Sequence, residues 1–320
     1  MKQMDTKFIL ITPYTLTKVR LFKAILPIMI VLHHFAFFYG TPPFFAKLGL
    51  PIVACFFLMS GYGLMASYLN KGEKYFKGFI WHISNKLLIP YLLSVIVYIP
   101  FVLIIRAESI VKYITETNFI DWLRFSWFVW VLLGGYLLFY LVFKTKMTNF
   151  CKLSLYGSIS LLYYIVSMCV LEGKLPCLFR TSYAIFLGML WKYNEEKIIH
   201  ILNLKYVMLF ATFLSIICLV ISVKTENLLL NPLFSVITFI CIAYIIPLNK
   251  DYKIVKSLSK ISYEYYLWQG LSIVVVCDYF HLTKMYIAIP LCLCLNAVFS
   301  IIAHYLNNKI ICLNLVHQKV

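Results

Sequence analysis

Long apolar runs alternate with short, lysine-rich polar segments along almost the whole chain. The runs fall at about 21–39, 49–69, 87–105, 122–142, 150–170, 177–192, 206–223, 228–247, 262–280 and 285–306. Most approach the roughly 20 residues that a helix needs to cross the hydrocarbon layer of a bilayer. A transmembrane barrel would instead show short segments of alternating polarity, and these runs are too long and too continuous for that. The pattern predicts an all-α fold: a polytopic integral membrane bundle of about ten transmembrane helices. Basic residues gather at alternate ends of the spans, which on ten crossings predicts both termini in the cytoplasm. The first twenty residues hold only the short apolar run Phe8–Ile11 and do not read as a secretory signal.

Composition strengthens this picture. Of 320 residues, 62% are hydrophobic and 13% charged, with a mean hydropathy of +0.88. A soluble domain carries about 25% charged residues. The net charge of +17 comes from 29 basic against 12 acidic residues. The basic residues are scattered over many short loops. That argues against nucleic acid as a partner and is what a multi-pass protein in contact with membrane lipids would show. The ten cysteines include no C-x-x-C and no His/Cys cluster with zinc spacing, so no metal is expected. No repeat or linker divides the chain, which reads as one transmembrane domain over 1–320.

Function must then come from polar groups inside the spans. Lys23 and His34 bracket KAILPIMIVLHH and lie eleven residues apart. Eleven steps of about 100° bring them within about 20° of one helix face, separated by a rise of about 16 Å. Arg20 lies one turn below Lys23 on roughly the same stripe, His33 is turned aside, and Pro27 bends the helix between them. Ionisable groups in a membrane usually face the bundle or a wet cavity, and a histidine there can act as a base or acid. The alternative is a hydrogen-bonded structural histidine. In the second run, FFLMSGYG places Ser60, Gly61, Tyr62 and Gly63 among bulky residues, which suits either close helix packing or a loosened helix beside a cavity.

The following segment sets Lys71, Lys74, Lys77 and Lys86 among Tyr75, Phe76, Phe79 and Trp81. Basic and aromatic groups together suit an anionic, ring-bearing ligand or a lipid headgroup surface equally well. Near the C-terminal end, KISYEYYLWQG carries Tyr263, Glu264 and Gln269. A buried acid needs a partner, and Lys23 or Arg20 would serve for Glu264. Gln269 likewise needs one at its depth.

These places resemble the membrane acyltransferase-3 family over nearly the whole chain. The family's first span has an arginine, ten intervening residues and a histidine, and Lys23-x10-His34 stands in that frame. Its second span ends FF-x-x-SGF, which Phe56-Phe57-Leu58-Met59-Ser60-Gly61-Tyr62 resembles. A basic segment enters a proline-containing third span, as in Asn85-Lys86-Leu87-Leu88-Ile89-Pro90-Tyr91. Ile261-Ser262-Tyr263-Glu264-Tyr265-Tyr266-Leu267-Trp268-Gln269 is similar to the family's I-S-Y-x-x-Y-L-x-H. Here lysine replaces the arginine, Gln269 replaces the terminal histidine, and the segment before Pro90 is lysine-based.

The resemblance implies an O-acyltransferase of the cell membrane, in a bacterium the cytoplasmic membrane. Most simply it would carry acetyl from acetyl-CoA to a hydroxyl of a glycan or lipid-linked saccharide acceptor. His34 would be the base, with His33 beside it, and Lys23 or Arg20 would hold charge. The lysines at 71, 74, 77 and 86 would attract the donor phosphates, and Ser60 and Gly61 would flank the acyl arm. Tyr62, Tyr263, Glu264 and Gln269 would line the site. A transporter or polysaccharide-export component without acyl transfer is the rival reading, since polar residues in broken spans suit that class too.

Overall fold

In a computed structural model of the chain, residues 14–39, 43–117, 120, 122–170, 181–202, 207–225, 229–248, 250–282 and 284–317 are described. Among them the fold is entirely helical. The N-terminal run Phe8–Ile11 and the start of the sixth predicted span lie outside these residues.

The first half of the bundle is α1 (Leu16–Tyr39), α2 (Pro43–Ala46), α3 (Gly49–Lys71), α4 (Phe79–Ile83), α5 (Ile89–Arg106), α6 (Ile110–Glu116) and α7 (Trp127–Phe143). The second half is α8 (Asn149–Val170), α9 (Ala184–Tyr193), α10 (Glu195–Leu202), α11 (Val207–Thr225), α12 (Leu230–Ile245), α13 (Lys253–Lys260), α14 (Ser262–Val274) and α15 (Met285–His317). A 3₁₀ turn at Gly72–Phe76 separates α3 from α4, and π-helical turns at Ser84–Leu88 and Val275–Tyr279 lead into α5 and out of α14.

The expectation of ten spans is corrected. Five helical stretches among the described residues are long and apolar enough to cross a membrane: Leu16–Phe37, Gly49–Phe76, Phe79–Arg106, Asn149–Ser167 and Met285–Ile311. A sixth is reached only if Glu195–Leu202 and Val207–Ile221 count as one bent span. The physical reason is length. At about 1.5 Å per residue, the 17 residues of α7, the 10 of α9 and the 16 of α12 fall short of a hydrocarbon layer of about 30 Å. An apolar run shows that a segment can lie in a dry environment, and here part of that environment is protein. α14 makes the case directly, since every residue from Glu264 to Val274 is buried. The side assigned to each terminus depends on ten crossings and falls with them. The remaining long apolar helices still make this a multi-pass membrane protein. Their outward faces carry exposed apolar residues such as Ile104, Leu161 and Ile301, which only lipid solvates well.

α3 is the hub. It runs antiparallel to α1: Tyr14, just before α1, packs edge-on against Tyr62, while His33 near the other end sits on Gly49. α3 meets α9 backbone to backbone. A Cβ added at Gly61 would lie 1.9 Å from the Ile185 carbonyl oxygen, and one at Gly188 would lie 2.0 Å from that of Leu58. Glycine at both places is what lets the two helices touch. α14 is tied to α15 by a buried polar ladder. Asn296 Nδ2 donates to the Tyr265 carbonyl at 2.9 Å, and Ser272 donates to Asn296 Oδ1 at 3.3 Å.

Candidate functional site: a histidine-lined cavity

His34 sits toward the C-terminal end of α1, where α14 crosses it. Its Nδ1 lies 2.9 Å from Gln269 Oε1. With the amide oxygen as acceptor, Nδ1 carries the proton and Nε2 keeps its lone pair. Gln269 is fully buried, and its own Nε2 has no hydrogen-bond partner among the described residues. Both residues are predicted from sequence, but nothing in the sequence pairs them.

One face of the imidazole is covered by Phe125. The two rings are stacked, 3.8 Å between centroids and 8° from parallel. Phe125 has a positive φ of 70°, a region that a bulky side chain occupies at a cost of about 1–3 kcal/mol. Its carbonyl accepts a 2.6 Å hydrogen bond from the Tyr266 hydroxyl. Arg124, next in the same turn, is close enough for its charge to act on His34. Neither Arg124 nor Phe125 carries a spacing signal in the sequence. A tight turn before a helix is the only hint, and φ is not readable from residue type when the residue is phenylalanine.

His33 and His34 both line a cavity of about 420 Å³ that also touches Lys47, Trp127, Asn231 and Tyr266. His33 is 4.9 Å from His34 between ring centroids and lies 3.0 Å through Nδ1 from the Phe45 carbonyl oxygen. The cavity therefore brings together two imidazoles, an amide, a phenol and an indole.

The remaining predicted residues fall elsewhere. Arg20 is engaged in an ion pair with Asp251, through Nη1 and Oδ2. Lys23 is exposed and shares an electrostatic neighbourhood with Lys86. Lys86 and Lys71 in turn both act on His82. Lys71, Lys74, Lys77 and Lys86 are all exposed, while the aromatic residues between them turn inward. Tyr75, Phe76 and Phe79 pack around Phe139 of α7.

Ser60 hydrogen-bonds Tyr136, and Gly61 is taken up by the contact with α9. Tyr62 donates to Glu195 Oε1 at 2.8 Å, in a cluster with Trp191 and Lys192. Tyr263 donates to the Leu87 carbonyl at 2.9 Å, within the π-helical turn that leads into α5. Glu264 is satisfied by His304 Nδ1 at 2.9 Å and Asn307 Nδ2 at 3.4 Å, so its neighbours are on α15 and not on α1. His304 carries no signal of this role in the sequence.

Among the described residues, no group of three or more His, Cys, Asp or Glu side chains is placed to hold a metal ion. A family model described as an acyltransferase domain, that of the acyltransferase-3 family, matches residues 16–305, and the chain belongs to this family. It is a membrane acyltransferase, with acyl-CoA-type donor chemistry and a membrane-associated acceptor. No curated protein and no solved structure matches it.

Proposed function

We propose that this protein transfers an acyl group, most simply acetyl from acetyl-CoA, to a hydroxyl of a cell-surface or lipid-linked glycan at a bacterial cytoplasmic membrane. The observation that carries the reading is the state of His34. One ring nitrogen is occupied by Gln269, the ring is clamped by Phe125, and the residue lines a cavity. An imidazole held in that way has its second nitrogen available as a general base.

In this reading the acceptor hydroxyl gives its proton to His34 Nε2 as its oxygen attacks the thioester carbonyl. The new C–O bond forms and the carbonyl oxygen takes up negative charge. Collapse breaks the C–S bond. The imidazolium returns the proton to the leaving thiolate, so that an ester and free CoA result. An acyl-histidine intermediate would start from the same nitrogen. Rapid acid quenching of labelled protein separates the two routes.

The donor is placed with its phosphates at the Lys23 end. Lys71, Lys74, Lys77 and Lys86 present exposed charge there, and Lys23 stands near Lys86. Lys23 takes the charge-holding role, because Arg20 is already paired with Asp251. Ser60 and Gly61 enter only as the contact that seats α3 on its neighbours. For an acceptor sugar in this cavity, His33 and Asn231 offer hydrogen-bonding groups and Trp127 an apolar face.

The test uses protein in lipid nanodiscs with acetyl-labelled CoA, with and without cell-envelope glycan, in native and H34A forms. Glycan-dependent label transfer that vanishes in H34A is the expected result. Transfer at the native rate in H34A would remove His34 from the chemistry.

A further inference from the structure

We infer that Phe125 and Tyr266 form a positioning device for the base: a strained turn, locked by one phenol, that presses an aromatic ring flat onto His34. This rests on the reading of His34 as the base of acyl transfer. Several observations meet here. The stack between Phe125 and His34 is close and parallel, at 3.8 Å and 8°. Aromatic pairs prefer offset or edge-to-face arrangements because of their ring quadrupoles, with centroids about 4.5–7 Å apart. The Phe125 backbone is held at φ 70°, and such conformations persist only where the surroundings over-determine them.

The surroundings do so. Tyr266 OH bonds the Phe125 carbonyl at 2.6 Å. The buried Ser126 hydroxyl donates to the Ile120 carbonyl at 2.7 Å. Gly270 brings α14 up against the turn, where an added Cβ would lie 3.0 Å from the Arg124 Cβ and 3.1 Å from its carbonyl oxygen.

The arrangement has a consistent logic. α14 supplies both Gln269, which fixes the rotation and protonation of the imidazole from its edge, and Tyr266, which fixes the ring that covers its face. Gly270 lets the turn come close enough for both. One helix thus sets the histidine in two directions, and Arg124 is delivered to its side by the same turn. Phe125 and Tyr266 touch the base or its support. They act through His34 and are positioning residues.

The experiment combines a structural and a kinetic readout in nanodiscs. The structural one is the ring-current shift of the His34 imidazole carbon-bound protons, measured with ¹³C-labelled histidine and assigned by its loss in H34A. The kinetic one is kcat and KM for acetyl-CoA with cell-envelope glycan. Phe125→Gly removes the ring yet adopts the positive φ without strain, so the turn is easier to form. It should abolish the ring-current shift and lower kcat about 10–100-fold, with KM for acetyl-CoA within about twofold of native. Tyr266→Phe should reduce the shift and lower kcat less. Phe125→Trp keeps a flat face and should retain most of both.

A native ring-current shift in Y266F, or native kcat in F125G once the shift has gone, would overturn the inference. So would an equal loss of kcat in F125W and F125G. A native protein that shows the shift but turns over no acetyl-CoA takes down the acyl-transfer reading first, and this inference with it.

Discussion

Near the Lys23 end of α1 a group of lysines stands at the surface. Lys23, Lys71, Lys74, Lys77 and Lys86 are exposed, and the aromatic residues among them are folded away against Phe139. About 16 Å along the same helix, His34 is fixed on two sides, by Gln269 at its edge and Phe125 on its face. The first region has charge without geometry, and the second has geometry built around one titratable ring. Long-range attraction of an anion needs only the former. A proton transfer needs the latter, because its rate depends on where the nitrogen points. The difference predicts that substitutions at the two ends will separate in kinetics: loss of kcat at one, rise of KM at the other.

The largest effect expected is that of H34A, a fall of about 10²–10⁴-fold in label transfer from acetyl-CoA, with the folded fraction on size exclusion unchanged. Residual transfer above a tenth of native would make the histidine structural. Gln269→Leu comes next. It leaves the imidazole N–H without its acceptor, and kcat should drop about 10–100-fold. If KM rose instead while kcat held, Gln269 would belong to donor binding and the contrast between the two ends would blur.

The combined substitution of Lys71, Lys74, Lys77 and Lys86 by alanine should raise KM for acetyl-CoA about tenfold and leave kcat near native. Added salt should mimic much of the effect in the native protein, since exposed charges are screened. A loss of kcat with unchanged KM would place the donor elsewhere. Gly61→Ala gives the smallest change in chemistry and tests the scaffold. Its Cβ collides with the Ile185 carbonyl, so stability should fall by about 1–3 kcal/mol, read as a lowered unfolding temperature, with kcat per folded molecule preserved. A lasting catalytic defect in the folded fraction would return Gly61 to the site.

Much of this molecule is legible in the chain itself. The apolar runs point to the helical membrane class, because hydrophobicity alone selects the solvent. The Lys23-x10-His34 spacing puts both residues on one stripe, because helical twist is fixed. Burial cost marks Glu264 and Gln269 as needing partners, but it does not say which. Glu264 goes to His304 and Asn307, forty and forty-three residues on. Gln269 goes to His34, 235 residues back. Periodicity within one helix carries no information about which face of another helix it will meet.

The span count fails for a related reason. An apolar run marks a segment that can lie in a dry environment, not one whose helix is long enough to cross a bilayer, and α7, α9 and α12 are too short. The membrane solvent and the helical character of the chain follow from local chain geometry and hydrophobicity, and residue order is enough to fix them. The pairing of the polar groups is not fixed in that way. Neither is the use of Gly61 for a helix contact, nor the phenylalanine held at positive φ over the imidazole. Each of these depends on a close approach between distant segments, and that is settled by packing.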